Sequence, residues 1–350
     1  MNTEILINNT FRIESQLGSG GSGTVYKAWH SRIQKYVVIK ELKYGSSESV
    51  ETQRNEIEAL KNIKSPYLPQ AYDFIADDER IYTVMEYIEG ENLSELLSRG
   101  QSFSGKQVAK WYGQLASALI VLHEMDIYHR DIKPSNIMLT PKDDVCLIDF
   151  NTALVRGNTV RFISRSNGYT SPEQHELYEM LESLKNGQSG RSIPENEEDA
   201  LSDTEFAGST PEAVAVQNEQ LREITKKDTS SLMINDIDWK LADIYSLGAT
   251  MYHVSTGKHP RARVDNEPIY MPGAGRDKKG VARIIERSMQ REPSKRPESA
   301  KKLAESIQRL EKRNDSAGLN LTKGEKIFFL LLSATTAAAA ASAATAARST

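Results

Sequence analysis

His129-Arg130-Asp131-Ile132-Lys133-Pro134-Ser135-Asn136 is the stretch from which the rest of the chain can be read, with Asp149-Phe150-Asn151 thirteen residues beyond it. A carboxylate and a lysine stand two residues apart, and a side-chain amide follows five residues after the carboxylate. Apolar Ile137-Met138-Leu139 and Val145-Cys146-Leu147-Ile148 flank a Pro-Lys-Asp-Asp turn, a pattern that predicts the two short strands of a hairpin. Such a hairpin brings Asp149 back to the end at which Asn136 stands, where a carboxylate and an amide oxygen can hold Mg²⁺. Asp131 is then left to orient a hydroxyl and Lys133 to face a phosphate. That set suits phosphoryl transfer, which depends on positioning and charge neutralisation more than on covalent chemistry.

The totals set the frame. A chain of 350 residues has room for one large two-lobed domain or for two domains. A formal net charge of −4 gives no global basic signature for a nucleic-acid partner. The single cysteine, Cys146, excludes an intrachain disulfide framework and is compatible with a reducing compartment. Inside its apolar run it reads as a small buried hydrophobe. Met1-Asn2-Thr3-Glu4 has neither a basic n-region nor a long apolar stretch after it, so no secretory signal is expected.

Upstream, residues 1–10 read as a lead-in, and strands are predicted at Phe11–Glu14, Thr24–Ala28 and Tyr36–Lys40. Between the first two lie Gly18, Gly20 and Gly23, spaced G-x-G-x-x-G. A dinucleotide-binding fold would need a helix after these glycines, with a phosphate at its N-terminus. β-Branched and aromatic residues follow instead, so the glycines read as a hairpin tip whose bare backbone can approach phosphates. Lys40 ends the third strand, and Glu51 to Lys64 carries helical periodicity through Ile57, Leu60 and Ile63. Glu56 lies on the flank of that apolar face, with Glu58 as an alternative acidic partner for Lys40.

In this order and spacing the motifs match H-R-D-x-x-x-x-N followed by the D-F-G position, and the chain resembles the eukaryotic-type (Hanks-type) Ser/Thr protein kinases, most of all their bacterial members. The resemblance runs from about Phe11 to about Arg313 with one insertion. It implies an α+β, two-lobed fold, with a small β-rich lobe over 11–88 and a large helical lobe over 89–313. It also implies ATP- and Mg²⁺-dependent phosphorylation of Ser/Thr hydroxyls on proteins, with Mn²⁺ as an alternative metal. Gly18, Ser19, Gly20, Gly21, Ser22, Gly23 and Val25 would then cover the nucleotide. Lys40 would contact the α- and β-phosphates, paired with Glu56. Val38 stands where V-A-I-K has alanine and narrows the roof of the adenine pocket. Met85 would sit at the back of the pocket, Glu86 to Ile88 would offer hinge backbone to adenine, and Met138 would complete the nucleotide contacts. Asp131, Lys133 and Lys40 are the implied catalytic residues, and Asn136 and Asp149 the metal ligands. Thr170, in the later substrate loop, joins Lys133 as a mark of Ser/Thr rather than Tyr kinases, and His129 is expected to pack and bond backbone rather than act as a base.

Asn151 takes the place of the family's glycine in Asp-Phe-Gly; asparagine tolerates left-handed backbone better than other non-glycine residues. Residues 152–170 read as the activation segment, with Thr152, Thr159, Ser164 and Ser166 as phosphate acceptors and Arg130 as the cation a phosphate could meet. Asp243 would hold the catalytic-loop backbone from beneath, and Arg296 would pair with Glu173 of Ser171-Pro172-Glu173.

The departure that marks this chain is an insertion over about 176–238, with fifteen acidic and five basic residues, against a net +6 for the remainder. Helices are predicted within it at Gln174–Leu184, stopped by Gly187, and at Pro211–Lys227, with a polar, acidic middle over 188–209. It reads either as a solvated insertion or as a docking element with a partner of its own. After a linker at 314–326, residues 327–347 are 21 uncharged residues, ten of them alanine. With Lys323 and Lys326 before them, they fit a C-terminal membrane anchor on a cytoplasmic domain or an Ala-rich helix. Rival readings are a nucleotide-binding pseudokinase scaffold, for which Asn151 and the insertion speak, and a small-molecule kinase, against which Lys133 and Gly168–Glu173 speak.

Overall fold

The computed structural model describes residues 6–7, 10–20, 23–43, 58, 60–76, 80–150, 153–155, 166–189, 237–263, 269 and 276–314. The chain divides into two compact units, Met1–Gln308 and Arg309–Thr350, and the described part of the second is the end of one helix. The N-terminal strands are β1 (Leu6–Ile7), β2 (Phe11–Gly20), β3 (Gly23–His30), β4 (Lys35–Lys43), β5 (Ala71–Ala76) and β6 (Arg80–Glu86). They form one antiparallel sheet in the order β1-β2-β3-β4-β6-β5. The side-chain period of two sorts its faces. Val37 and Ile39 are fully buried on one face with Phe11, Ala28, Tyr82 and Val84, which turns Val38 and Lys40 to the other. On that second face the register sets Val25 beside Lys40 and Val38 beside Met85.

A short strand β7 (Glu91–Asn92) leads into α1 (Leu93–Ser98), capped by Asn92, and then α2 (Gly105–Glu124). Ser104 and Gln107 close a capping box at the start of α2, which fits the polar lead into an apolar periodic run. After β8 (Ile127–Tyr128) come the hairpin strands β9 (Ile137–Leu139) and β10 (Val145–Leu147), and then β11 (Leu154–Val155) paired with β8. The remaining helices are α3 (Pro172–Ser189), α4 (Trp239–Thr256), α5 (Arg276–Ser288) and α6 (Ala300–Asn314). Asp238 caps α4 through Lys240 and Leu241 N–H groups, and Gly257 ends it in left-handed conformation at φ 69°. Gly248 lets α4 approach α5 closely: a Cβ there would lie 2.7 Å from Ser288 Cβ.

Three departures from the sequence reading have simple causes. Gly187 does not stop α3, which runs on to Ser189; a helical glycine costs only about 1 kcal/mol, and Leu177 and Leu181, one turn apart, bury the helix against Tyr128, Leu154 and Trp239. β5 went unpredicted because its buried residues, Ala71 and Phe74, recur every third position, not every second, across a β-bulge at Ala71/Asp73. The strand read as ending at Glu14 continues to Gly20 by pairing with β3. Of the helix expected over 51–64, only Glu58, Leu60 and Lys61 are described in helical conformation. Glu56, Gly21, Ser22, Asn151, Thr152, Thr159, Ser164, the segment 190–236 and the candidate anchor 327–347 lie outside the described residues.

The hairpin at the centre of the reading is held from two sides. Lys110 Nζ and Trp111 Nε1 both donate to the Asp143 carbonyl, the latter at 3.1 Å, and Gln114 donates to Asp144 Oδ1 at 2.6 Å while accepting from Val145 N–H at 3.0 Å. On the other side β7 pairs with β9, and Gly90, at φ 146°, passes so close that a Cβ would lie 2.0 Å from the Leu139 carbonyl oxygen. Gly90→Ala is therefore expected to destabilise the protein by at least about 1–2 kcal/mol, read as a lowered unfolding midpoint; an unchanged midpoint would contradict this packing.

Candidate active site

Asp243, fully buried on α4, organises the loop before the hairpin. Its carboxylate accepts from His129 N–H at 2.9 Å, Arg130 N–H at 2.8 Å and the His123 ring at 3.0 Å. Three donors offset the cost of burying the charge. His129 is itself a staple: Nδ1 accepts from Asp131 N–H at 3.4 Å, which leaves Nε2–H to donate to the Ile148 carbonyl at 3.2 Å. Both ring nitrogens are thus engaged with backbone, in agreement with a packing role, and the Phe150 ring lies 5.4 Å away. Arg130 and Asp149 both sit in left-handed backbone, φ 68° and 67°, a conformation that costs a non-glycine residue about 1–2 kcal/mol and persists only where surroundings enforce it.

The candidate chemical groups converge at the end of the hairpin. Ile148 N–H donates to the Asn136 carbonyl at 2.8 Å, which sets Asn136 next to the residue before Asp149. Asn136 Nδ2 donates to the Asp131 carbonyl at 2.8 Å and to its Oδ2 at 3.1 Å. With its amino group spent on Asp131, the amide oxygen of Asn136 is the atom it has to offer a hard cation. Lys133 Nζ lies 3.0 Å from Asp131 Oδ2. From the sheet above, Lys40 Nζ reaches Asp149 Oδ1 at 3.4 Å; the lysine side chain is 7% exposed and the aspartate 38%, so the pair faces inward from one side and is open from the other.

The hydroxyl that joins the catalytic loop from the substrate segment belongs to Ser166. Ser166 Oγ donates to Asp131 Oδ1 at 2.5 Å and accepts from Lys133 Nζ at 3.0 Å. Thr170 Oγ1 is occupied with Ser166 backbone, accepting from its N–H at 2.8 Å and donating to its carbonyl at 3.0 Å. Ser166 was read as a phosphate acceptor; the structure engages its hydroxyl with Asp131 and Lys133. Arg130, read as a cation for such a phosphate, is 3% exposed, with its guanidinium carbon 4.6 Å from the Trp239 ring centre.

The segment 166–173 is clamped at both ends. Tyr169 Oη and His253 Nδ1 on α4 lie 2.6 Å apart, and Gly168, at φ 82°, abuts His259 and Arg261. Arg296 forms a bidentate pair with Glu173 at 2.6 and 2.8 Å and donates to the carbonyls of Gln290, Leu241 and Arg291. Neither the Ser166–Asp131 bond nor the Tyr169–His253 pair could be found by sequence reading, because each depends on a contact between segments far apart in the chain. Cys146 is buried within the hairpin, on β10, and desolvation pushes its thiol pKa up, which fits a packing residue.

Taken together, the site offers an ammonium group beside a carboxylate, an amide oxygen, and an aspartate already bonded to a serine hydroxyl. The donor set of one carboxylate and one amide oxygen fits Mg²⁺, which takes its other ligands from water and phosphate. Residues 11–182 match the protein kinase domain family. The chain is 38% identical over 41% of its length to the serine/threonine-protein kinase ULK3 of Rattus norvegicus, covering 31% of that protein. It is 31% identical over 47% of its length to the serine/threonine-protein kinase pkn3 of Myxococcus xanthus, covering 33%, and 30% identical over 48% to PrkC of Bacillus subtilis, covering 27%. The chain thus spans about a third or less of each of these relatives.

Proposed function

We propose that this chain, whose residues 11–182 match the protein kinase domain family, is a Ser/Thr protein kinase of Hanks type that transfers the γ-phosphate of ATP to Ser or Thr hydroxyls of protein substrates, its own included. The observation that carries the reading is the Ser166 hydroxyl on Asp131 with Lys133 beside it, since a substrate hydroxyl needs that same pair of neighbours.

In this reading Asp131 orients the acceptor hydroxyl and takes its proton as the phosphoryl group departs from ADP. Lys133 neutralises charge on the moving phosphoryl group. Lys40 holds the α- and β-phosphates, with Glu56 or Glu58 as its acidic partner. Asn136 and Asp149 would hold Mg²⁺, which when bound neutralises the phosphate oxygens. Val25, Val38, Met85, Met138 and the backbone of Glu86–Ile88 bound the nucleotide, under the tip Gly18–Gly23. Among the described residues no helix is long and apolar enough to cross a membrane; anchoring through 327–347 is part of the proposal, tested by membrane partition of the full chain against a chain ending at 322. The acidic insertion would serve a protein partner.

The test is incubation with γ-labelled ATP and Mg²⁺, with modified sites mapped by mass spectrometry. Label on Ser or Thr is expected, and Lys40→Met should reduce its rate by about 10²–10³, the usual cost of one electrostatic contact to a developing charge. A wild-type chain that binds ATP without transferring phosphate would favour the scaffold reading instead.

A further inference from the structure

Arg130 is the residue through which the chain enters Asp131, and its backbone is held on both sides. Its N–H donates to Asp243 Oδ1 at 2.8 Å, and its carbonyl accepts from Gln174 Nε2 at 3.1 Å. Between these two bonds lies the left-handed φ of 68°. Gln174 has no exposed surface and belongs to neither the catalytic loop nor the hairpin; it lies in the first turn of α3, the helix that opens the acidic insertion. One and two turns further, Leu177 and Leu181 pack with Tyr128, Leu154 and Trp239. The Trp239 ring in turn stands over the Arg130 guanidinium, 4.6 Å from its carbon. α3 therefore reaches Arg130 twice, at its main chain through Gln174 and at its side chain through Trp239.

We infer that Gln174 is a positioning residue for Asp131: by donating to the Arg130 carbonyl it fixes the peptide between the two residues and hence the direction of the Asp131 carboxylate. This rests on the proposed kinase activity. The physical reason is that a left-handed arginine relaxes toward negative φ unless its peptide groups are bonded where they stand. Rotation of that peptide carries the Asp131 carboxylate away from Asn136 Nδ2 and Ser166 Oγ, which now lie 3.1 and 2.5 Å from its oxygens. Displacement of about 1 Å at a reacting group costs on the order of 10²-fold in rate. The helix that begins the insertion is, on this account, part of the catalytic support, so whatever engages the insertion has a direct route to Asp131.

The test uses the full chain with Gln174→Met, which keeps length and bulk but removes the donor, and Gln174→Glu, which puts an acceptor where the donor was. Both are expected to lower kcat by about 10–100-fold with KM for ATP changed less than about twofold. Amide hydrogen exchange should quicken over residues 128–133 and stay unchanged over α3 and α4. The inference is overturned if kcat stays at the wild-type value, or if exchange quickens throughout α3 and α4, which would mark Gln174 as a helix-packing residue only. Exchange needs no substrate, so an inert wild-type chain would sink the proposed activity while local quickening in the variants still supported the positioning role.

Discussion

Changing Asp131 to asparagine is expected to lower the phosphotransfer rate by about 10²–10⁴-fold while ATP affinity stays close to wild type. The amide keeps the size of the carboxylate and can still accept from Asn136 Nδ2, now 3.1 Å away, so the loop has no reason to rearrange. What it loses is the negative oxygen that Ser166 Oγ touches and any capacity to take the acceptor's proton. Lys40 and Asp149, which pair with each other, are assigned to the nucleotide and its metal. The effect should therefore appear in kcat and leave nucleotide titrations unmoved. Equal losses in both would mean that Asp131 acts on ATP and that the division of labour is wrong.

The largest effect on stability is expected at Arg296. Its guanidinium is fully buried, doubly bonded to Glu173, donating to three backbone carbonyls and stacked 4.9 Å from the Tyr245 ring centre. Arg296→Ala strands the Glu173 carboxylate and should cost about 3–5 kcal/mol, as removing one member of a buried pair does. At about 2–4 °C per kcal/mol for a domain of this size, the unfolding midpoint falls by roughly 10 °C. Arg296→Lys retains the charge but cannot reproduce the planar fork, so it should lie between the two. The double change Arg296→Met with Glu173→Leu should recover part of the loss, since no ion is then left alone. If Arg296→Ala melts like wild type, the clamp between the substrate segment and the C-terminal helices contributes nothing.

How much of this was legible in the sequence follows from the range of each interaction. The hairpin Ile137–Leu147 was readable because apolar runs and turn residues are local signals. Lys40, Asp131, Asn136 and Asp149 were readable as candidates because their spacing within motifs is local too. The structure brings Asp131 to Asn136 and Lys40 to Asp149. Ser166 was legible only as one of several loop hydroxyls, because its bond to Asp131 joins segments 35 residues apart and depends on the turn in which Thr170 bonds Ser166 backbone. Gln174 carried no signal at all, since a buried amide in a helix looks like any polar helical residue until its partner is known. The end of α3 was misplaced because Leu177 and Leu181 find apolar partners from β8, β11 and α4, and tertiary burial outweighs one glycine.

The central claim is that a single cleft places Lys40 on the nucleotide phosphates, Asn136 and Asp149 on its metal, and Asp131 on the acceptor hydroxyl. It is tested most directly by a crystal structure of the chain with Mg²⁺, a non-hydrolysable ATP analogue and a serine peptide. The predicted result is a metal bound to Asn136 Oδ1 and the Asp149 carboxylate, the analogue's phosphates on Lys40, and the peptide hydroxyl within hydrogen-bond distance of Asp131. Nucleotide bound elsewhere, or seated in the cleft with the metal held by other residues and Asp131 turned away from the peptide, would contradict it.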